Sequence, residues 1–338
     1  MFATLLGSLP RPVGADGQPI LDDDAAVVTA LEAQLAAGLE PLTDGRLRGN
    51  GLFATVAALG GMARGRDGMR LTGLPTWEAP LTVDAWSFAA RHANGVVKQA
   101  LPGPYTLGRR LGGADLDATT IAFARALRAE VLALAEAGCP MIEIEEPDAQ
   151  LIGVDETERR RFAEAHQLLL DGVSGVHCSL AIIGGNADTA GIETILAAPY
   201  PSLAVDLIEG PDNWRLVTST PGDRGIICGV LSTDDPSDDA PDLMLWAAGY
   251  ASASEGRGPD RVGLGTAGGL GGLSWAIAVR KMHALGKAAS LAQRPMAEMA
   301  PHLDPRAIDI KSAAMGRFVP PAGRSVRPAG RSARRRLP

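Results

Sequence analysis

Eight short apolar runs alternate with amphipathic segments along most of this chain, and that alternation constrains the fold more than any other feature. The runs are FATLLG (2–7), LEPLTD (39–44), GVVKQAL (95–101), CPMIEIE (139–145), GVHCSLAII (175–183), SLAVDLIE (202–209), RGIICGVL (224–231) and DRVGLGT (260–266). Between them, apolar residues recur at helical spacing over 23–37, 82–93, 118–137, 156–171, 187–198, 237–253 and 272–287. Segment 118–137 is rich in strong helix formers and ends at Gly138. Strand–helix alternation implies βαβ units and a parallel sheet. Eight such units predict an α/β fold of the TIM (β/α)8 barrel type. An open doubly wound sheet would need a glycine fingerprint after the first strand, and LLGSLPRP is not one. Residues 45–80 are glycine-rich and break the rhythm, which marks a long insertion near the barrel mouth.

The 338 residues, 46% of them hydrophobic, suffice for one large core. We expect a single barrel domain over 1–315 and a disordered basic tail over 316–338, where PAGRS occurs twice ahead of ARRRLP. The net charge is -7, yet residues 319–338 carry six arginines and no acid, which leaves -13 for the rest. That balance argues against nucleic-acid binding by the barrel. Cys139, Cys178 and Cys228 are too few and too scattered for a disulfide framework, so a reducing cytoplasm is expected. MFATLLGSLPRP lacks the basic start of a signal peptide, and no run is long enough for a membrane helix.

In a parallel barrel the active site lies at the C-terminal ends of the strands. The runs deliver Gly7 and Ser8, Asp44 to Arg46, Tyr105 and Thr106, Glu145 and Glu146, His177 and Cys178, Asp206 and Glu209, Ser232 to Asp235, and the GGLGG stretch 268–272. Strand alternation turns Glu143 and Glu145 inward and Ile142 and Ile144 outward. An unpaired acid inside a barrel is costly, so Glu145 and Glu146 point to a site, and Glu143 calls for a basic partner such as Lys98. Taken alone, Cys178 and Cys228 read as small buried hydrophobes rather than as nucleophiles. Trp86 reads as core, whereas Trp77 and Trp214 are candidates for stacking on a flat ring.

LLGSLPRP, LPGPYTLG, IEIEEPDAQ, VDLIEG and TAGGL fall in this order and at these spacings in the catalytic C-terminal domain of cobalamin-independent methionine synthases, which the chain resembles up to about residue 290. The resemblance implies methyl transfer from a methyltetrahydrofolate-type donor to a thiol held by zinc. It implies metal ligation by His177, Cys178 and Glu209, catalysis by Asp234 and His177, and binding of a small substrate with amino and carboxylate groups by Gly7, Ser8, Glu145, Tyr105 and Arg46. The chain departs from the family pattern at several points. Ser179 and Gly268 stand where the family has cysteine ligands, and Asp234 where it has a histidine. Leu151 replaces a second substrate-binding acid, and Arg46 follows Gly45 where the family has an acid.

Two alternatives stay open on the sequence. One is a diverged, zinc-free barrel enzyme for another alkyl transfer, a lyase or a decarboxylase reaction, with Arg46, Arg48, Arg109 and Arg110 clamping a polyanion. The other is a non-catalytic small-molecule binder.

Overall fold

The computed structural model describes residues 1–302 apart from 50, 67, 114, 234–238 and 240. Asp234 and the basic tail therefore lie outside the described residues. Seven parallel strands form one curled sheet: β1 (Phe2–Thr4), β4 (Gln99–Pro102), β5 (Met141–Glu145), β6 (His177–Ile182), β7 (Ser202–Asp206), β8 (Gly225–Leu231) and β9 (Val262–Thr266). Their order around the wall is β1-β9-β8-β7-β6-β5-β4. Between β1 and β4 runs the predicted second strand, LEPLTD, which the ladder touches only through isolated bridges. Glu40 N–H donates to Ala3 O at 2.8 Å on one side. On the other, Leu42 N–H donates to Val96 O at 2.7 Å and Lys98 N–H to Leu42 O at 2.9 Å. Pro41 between them has no N–H to give. The segment still closes the barrel, as an irregular eighth stave rather than a regular strand.

The helices pack around this wall: α1 (Asp23–Ala36), α2 (Val83–His92), α3 (Pro104–Leu111), α4 (Leu116–Glu136), α5 (Glu156–Leu170), α6 (Ile192–Ile195), α7 (Trp214–Ser219), α8 (Pro241–Ala253) and α9 (Trp275–Leu291). Asp22, Asp115, Asp155 and Ser274 each cap a helix by accepting a first-turn N–H. The predicted helix 187–198 shrinks to one turn, α6. Gly191, at φ 87°, opens it, and Pro199 follows soon after.

The insertion forms a two-stranded antiparallel ribbon, β2 (Gly60–Gly65) and β3 (Gly68–Thr76), with Met62 opposite Leu71 and Arg64 opposite Met69. Its anchor is Glu130, a fully buried acid of α4. This carboxylate accepts Trp77 Nε1–H at 2.9 Å, Leu81 N–H at 2.7 Å, and both the N–H and the hydroxyl of Thr82 at 2.7 Å. One charge thus fixes the chain between the ribbon and α2, and it also takes the indole N–H of Trp77.

The large core lies between wall and helices and includes Cys139, Cys178 and Cys228. A second cluster, Leu6, Met141, Ala181, Ala204 and Ile227, fills the barrel interior. Within that interior Lys98 Nζ meets Glu143 Oε2 at 2.7 Å, both side chains fully buried. The pairing expected for Glu143 is therefore present. Burial pushes the Glu143 carboxyl up, against the opposing pull of Lys98. We predict that Lys98→Met costs about 3–5 kcal/mol in urea unfolding, because it strands a buried carboxylate. The double change Lys98→Met with Glu143→Leu should recover most of that loss. Equal losses in the single and double variants would contradict a desolvation origin.

Candidate active site at the barrel mouth

Three acids at the end of β5 reach full burial in three different ways. Glu143 faces the interior and pairs with Lys98. Glu145, two residues on, faces the mouth: Oε1 accepts the Gly7 N–H at 3.2 Å, and Oε2 takes the guanidinium of Arg46. Glu146 turns the other way and caps α3. It accepts Tyr105 N–H at 2.9 Å, Thr106 N–H at 2.8 Å and the Thr106 hydroxyl at 2.6 Å. The first-turn amides of a helix are free donors at its positive end, which suits a carboxylate. His166 Nε2 stands 3.0 Å from the same acid, and its Nδ1 lies 2.7 Å from the Tyr200 hydroxyl. Glu146 is therefore structural, and Glu145 is the mouth acid.

The loop after β1 is held close to the loop after β9. Gly7 has φ 71°, and a Cβ there would lie 2.6 Å from the Gly269 backbone. A Cβ on Gly271 would lie 2.6 Å from Ser8 Oγ. The glycine run 268–272 thus lets Gly7 and Ser8 approach. Arg46 is set by its backbone. It adopts φ 57° after Gly45 at φ 64°, and its N–H donates to Asp44 Oδ1 at 2.9 Å. The first loop through Gly7 and the second through Arg46 therefore come together at Glu145, the end of β5, and Ser8 adjoins Gly7.

The other expected residues do not join them. His177 is the first residue of β6, in register with Met141, and it lines a cavity at the N-terminal end of the barrel with Phe2, Ser202 and Gly225. Its Nε2 lies 2.8 Å from Ser202 Oγ. Glu209 is exposed beyond the far end of β7. A strand rises about 3.3 Å per residue, so the whole height of the wall separates the two. Cys178 sits in the outer core, opposite Ile142 in the ladder, and burial pushes its thiol up to about 11. These three do not meet, and among the described residues no group of His, Cys, Asp and Glu could hold a metal. The residues present do not fit the implied zinc. Tyr105 is also displaced from its expected role. It is fully buried against Phe162, and its hydroxyl donates to Glu158 at 2.6 Å. Trp214 is buried in an edge-on cluster with Trp246 and Tyr250.

Three of the four candidate arginine clamps are engaged elsewhere. Arg109 pairs with Glu158 at 2.8 Å, Arg110 with Asp148 at 2.6 Å, and Arg48 with Asp24. Two acids that the sequence places at strand ends, without a role, are buried here. Asp206 ends β7, and burial raises its carboxyl despite N–H bonds from Ile208, Glu209 and Gly184. Burial also raises Asp44, against its bond from the Arg46 N–H. Their strand-end positions in VDLIEG and LTDG were the only signal in the sequence.

Solved structures show where this architecture recurs. The fold is similar to that of a B12-independent methionine synthase from Shewanella sp. W3-18-1 in complex with selenomethionine. The TM-score is 0.73 at 16% identity, over 86% of this chain and 97% of that one. It is also similar to a methyltransferase from Methanosarcina mazei, with a TM-score of 0.59 at 16% identity over 85% and 93% of the two chains. No family model and no curated protein matches the sequence. At such identities the likeness establishes the barrel fold. Among the described residues no helix is long and apolar enough to cross a membrane.

Glu146→Gln should lower stability by about 2 kcal/mol, since an amide replaces a charged cap bonded to three donors. It should leave ligand affinity at the mouth unchanged. Thermal unfolding with and without ligand checks both, and a change in affinity alone would assign Glu146 to the site.

Proposed function

We propose that this chain is a barrel methyltransferase acting on a small amino acid bound at the mouth. One observation carries the reading: Glu145, a fully buried acid at the end of β5, joins the first loop through Gly7 and the second through Arg46. Carboxylate, guanidinium and loop amide stand side by side, the donor and acceptor set that a zwitterion needs. The substrate amine would go to Glu145, and its carboxylate to Arg46 and the Ser8 loop. The likeness of the fold to a methionine synthase solved with selenomethionine supports an amino acid of that size.

The chemistry proposed is in-line displacement. The thiol of the bound amino acid loses its proton and its sulfur attacks the methyl carbon of a methyltetrahydrofolate-type donor; a carbon–sulfur bond forms as the carbon–nitrogen bond breaks, the bonding pair stays on the donor nitrogen, and that nitrogen takes up a proton so that tetrahydrofolate leaves as a neutral amine. The barrel contributes by fixing the acceptor against the donor, which removes the entropy cost of bringing them together. No step is routed through zinc, because the candidate ligands stand apart. The polyanion reading is weaker, since Arg48, Arg109 and Arg110 already serve Asp24, Glu158 and Asp148.

Calorimetry with homocysteine and methionine, and a transfer assay with methyltetrahydrofolate, test the proposal. Binding should weaken at least about tenfold in Glu145→Gln, equivalent to about 1.4 kcal/mol, while His177→Ala leaves it unchanged. Binding without turnover would leave a non-catalytic binder. Absence of binding, or an unaffected Glu145→Gln variant, would sink the reading.

A further inference from the structure

A cavity of about 320 Å³ opens at the base of the barrel, the end opposite the mouth. Every stave sends a residue to it, from the strand itself or from the turn that leads into it. It shares Met141 and Ile227 with the interior cluster, so it lies on the barrel axis. Two features keep it open. Two of the five interior residues above it are alanines, Ala181 and Ala204. The Phe2 ring is drawn against the wall, because its ladder partner Gly263 has no side chain, and a Cβ there would lie 2.5 Å from the ring. Phe2, Val96, Met141 and Ile226 make the lining mostly apolar. Its polar side chains form two sets. At the rim stand Glu40 and Arg261, both exposed, whose opposite charges sum to zero. Glu40 Oε1 already accepts the Val96 N–H at 2.8 Å, and Arg261 Nη1 donates to Arg257 O at 3.5 Å. Further in, the buried Ser202 hydroxyl lies 2.8 Å from His177 Nε2. Burial pushes the His177 imidazole below its ordinary pKa, so this pair is uncharged at neutral pH. A mostly apolar cavity with a few convergent polar groups is the usual form of a small-molecule site. A dry cavity of about 150 Å³ takes up benzene, so this one has room for a substituted ring.

We propose that the base of the barrel is a binding site separate from the mouth, for a small neutral molecule with an apolar body and one hydroxyl. The body rests on Phe2, Met141 and Ile226, and the hydroxyl bonds to the pair of Ser202 and His177. A charged ligand is disfavoured, because the lining carries no net charge to replace the water it would lose. The five residues of β5 put roughly 15 Å between base and mouth, so the two sites do not share a ligand. His177 thus gains a role at the end of the barrel where the fold places it.

The test uses the full chain, with para-ethylphenol as the probe and para-ethylbenzoate as its charged counterpart. Calorimetry should give para-ethylphenol a Kd of about 1 mM or tighter, with para-ethylbenzoate at least about tenfold weaker. The chain has five histidines, and the ring signals of His177 are identified by their loss in His177→Gln. Those signals should shift in proton NMR as the phenol is added. Ser202→Ala should weaken the phenol at least about fivefold, and Ser202→Leu, which fills the cavity, should abolish binding. Circular dichroism establishes that each variant folds; if Ser202→Leu does not, Ser202→Ala and the His177 signals decide. Para-ethylphenol weaker than about 10 mM, equal binding of the two probes, unmoved His177 signals, or unchanged affinity in Ser202→Ala would overturn the site. None of these readouts involves the mouth, so this site and the methyl transfer proposed above fail separately.

Discussion

The desolvation of three carboxylates on one strand organises this molecule. Removing a carboxylate from water costs several kcal/mol unless it finds a partner. Glu143, Glu145 and Glu146 are all fully buried, so each imposes a requirement on a different part of the chain. Glu143 requires Lys98, the residue just before the neighbouring strand β4. Glu145 requires Gly7 and Arg46 from the first and second loops. Glu146 requires the start of α3 and brings up His166 from α5. The interior, the mouth and the outer helical layer are tied to one strand by charge. Glu130 does the same for the insertion, with four donors converging on its two oxygens.

These ties give the two ends of the barrel different characters. At the C-terminal end, acids and arginines meet in pairs, and burial raises the carboxyls of Asp44 and Asp206. Burial there works against the charged form of each carboxyl, so each leans on the backbone N–H groups that bond it, Arg46 for Asp44 and Ile208, Glu209 and Gly184 for Asp206. At the N-terminal end the cavity around His177 is largely apolar, lined by Phe2, Val96, Met141 and Ile226 among others. Charged groups gather at the mouth, whereas the lining of the base is mostly apolar.

Much of this was legible because strand and helix periods differ. The outward turn of Ile142 and the inward turn of Glu143 followed from alternation alone, and the cost of an unpaired buried acid called for a basic partner, of which Lys98 was one candidate. What was lost depended on direction and on distant partners. His177 stands in an apolar run, but that run enters the sheet at His177 and reaches the mouth only after Ile182. Composition does not say which end of a run is which. Cys178 then falls on the outer face by alternation, so no rotation of its side chain brings it to Glu209. Glu146 was assigned to the site together with Glu145. Only the fold shows that the amides of Tyr105 and Thr106, about forty residues away, reach it first. LEPLTD reads as a strand by its apolar content, yet Pro41 removes a donor at its middle.

Arg46 shows how backbone and charge combine to define a site. Among the described residues only Arg46 and Glu255 hold positive φ without being glycine. Such a conformation costs of order 1 kcal/mol and persists where surrounding bonds over-determine it. Here the bonds are visible: Asp44 accepts the Arg46 N–H, and Glu145 accepts its guanidinium. The strain aims a cation at the acid that a substrate amine would use. A simple amine would have to displace a guanidinium already in place, with nothing offered in return. A ligand that brings its own carboxylate gives Arg46 a second partner as it takes the first. On the proposed function the internal ion pair would act as a filter, disfavouring lone cations and favouring molecules that carry both charges.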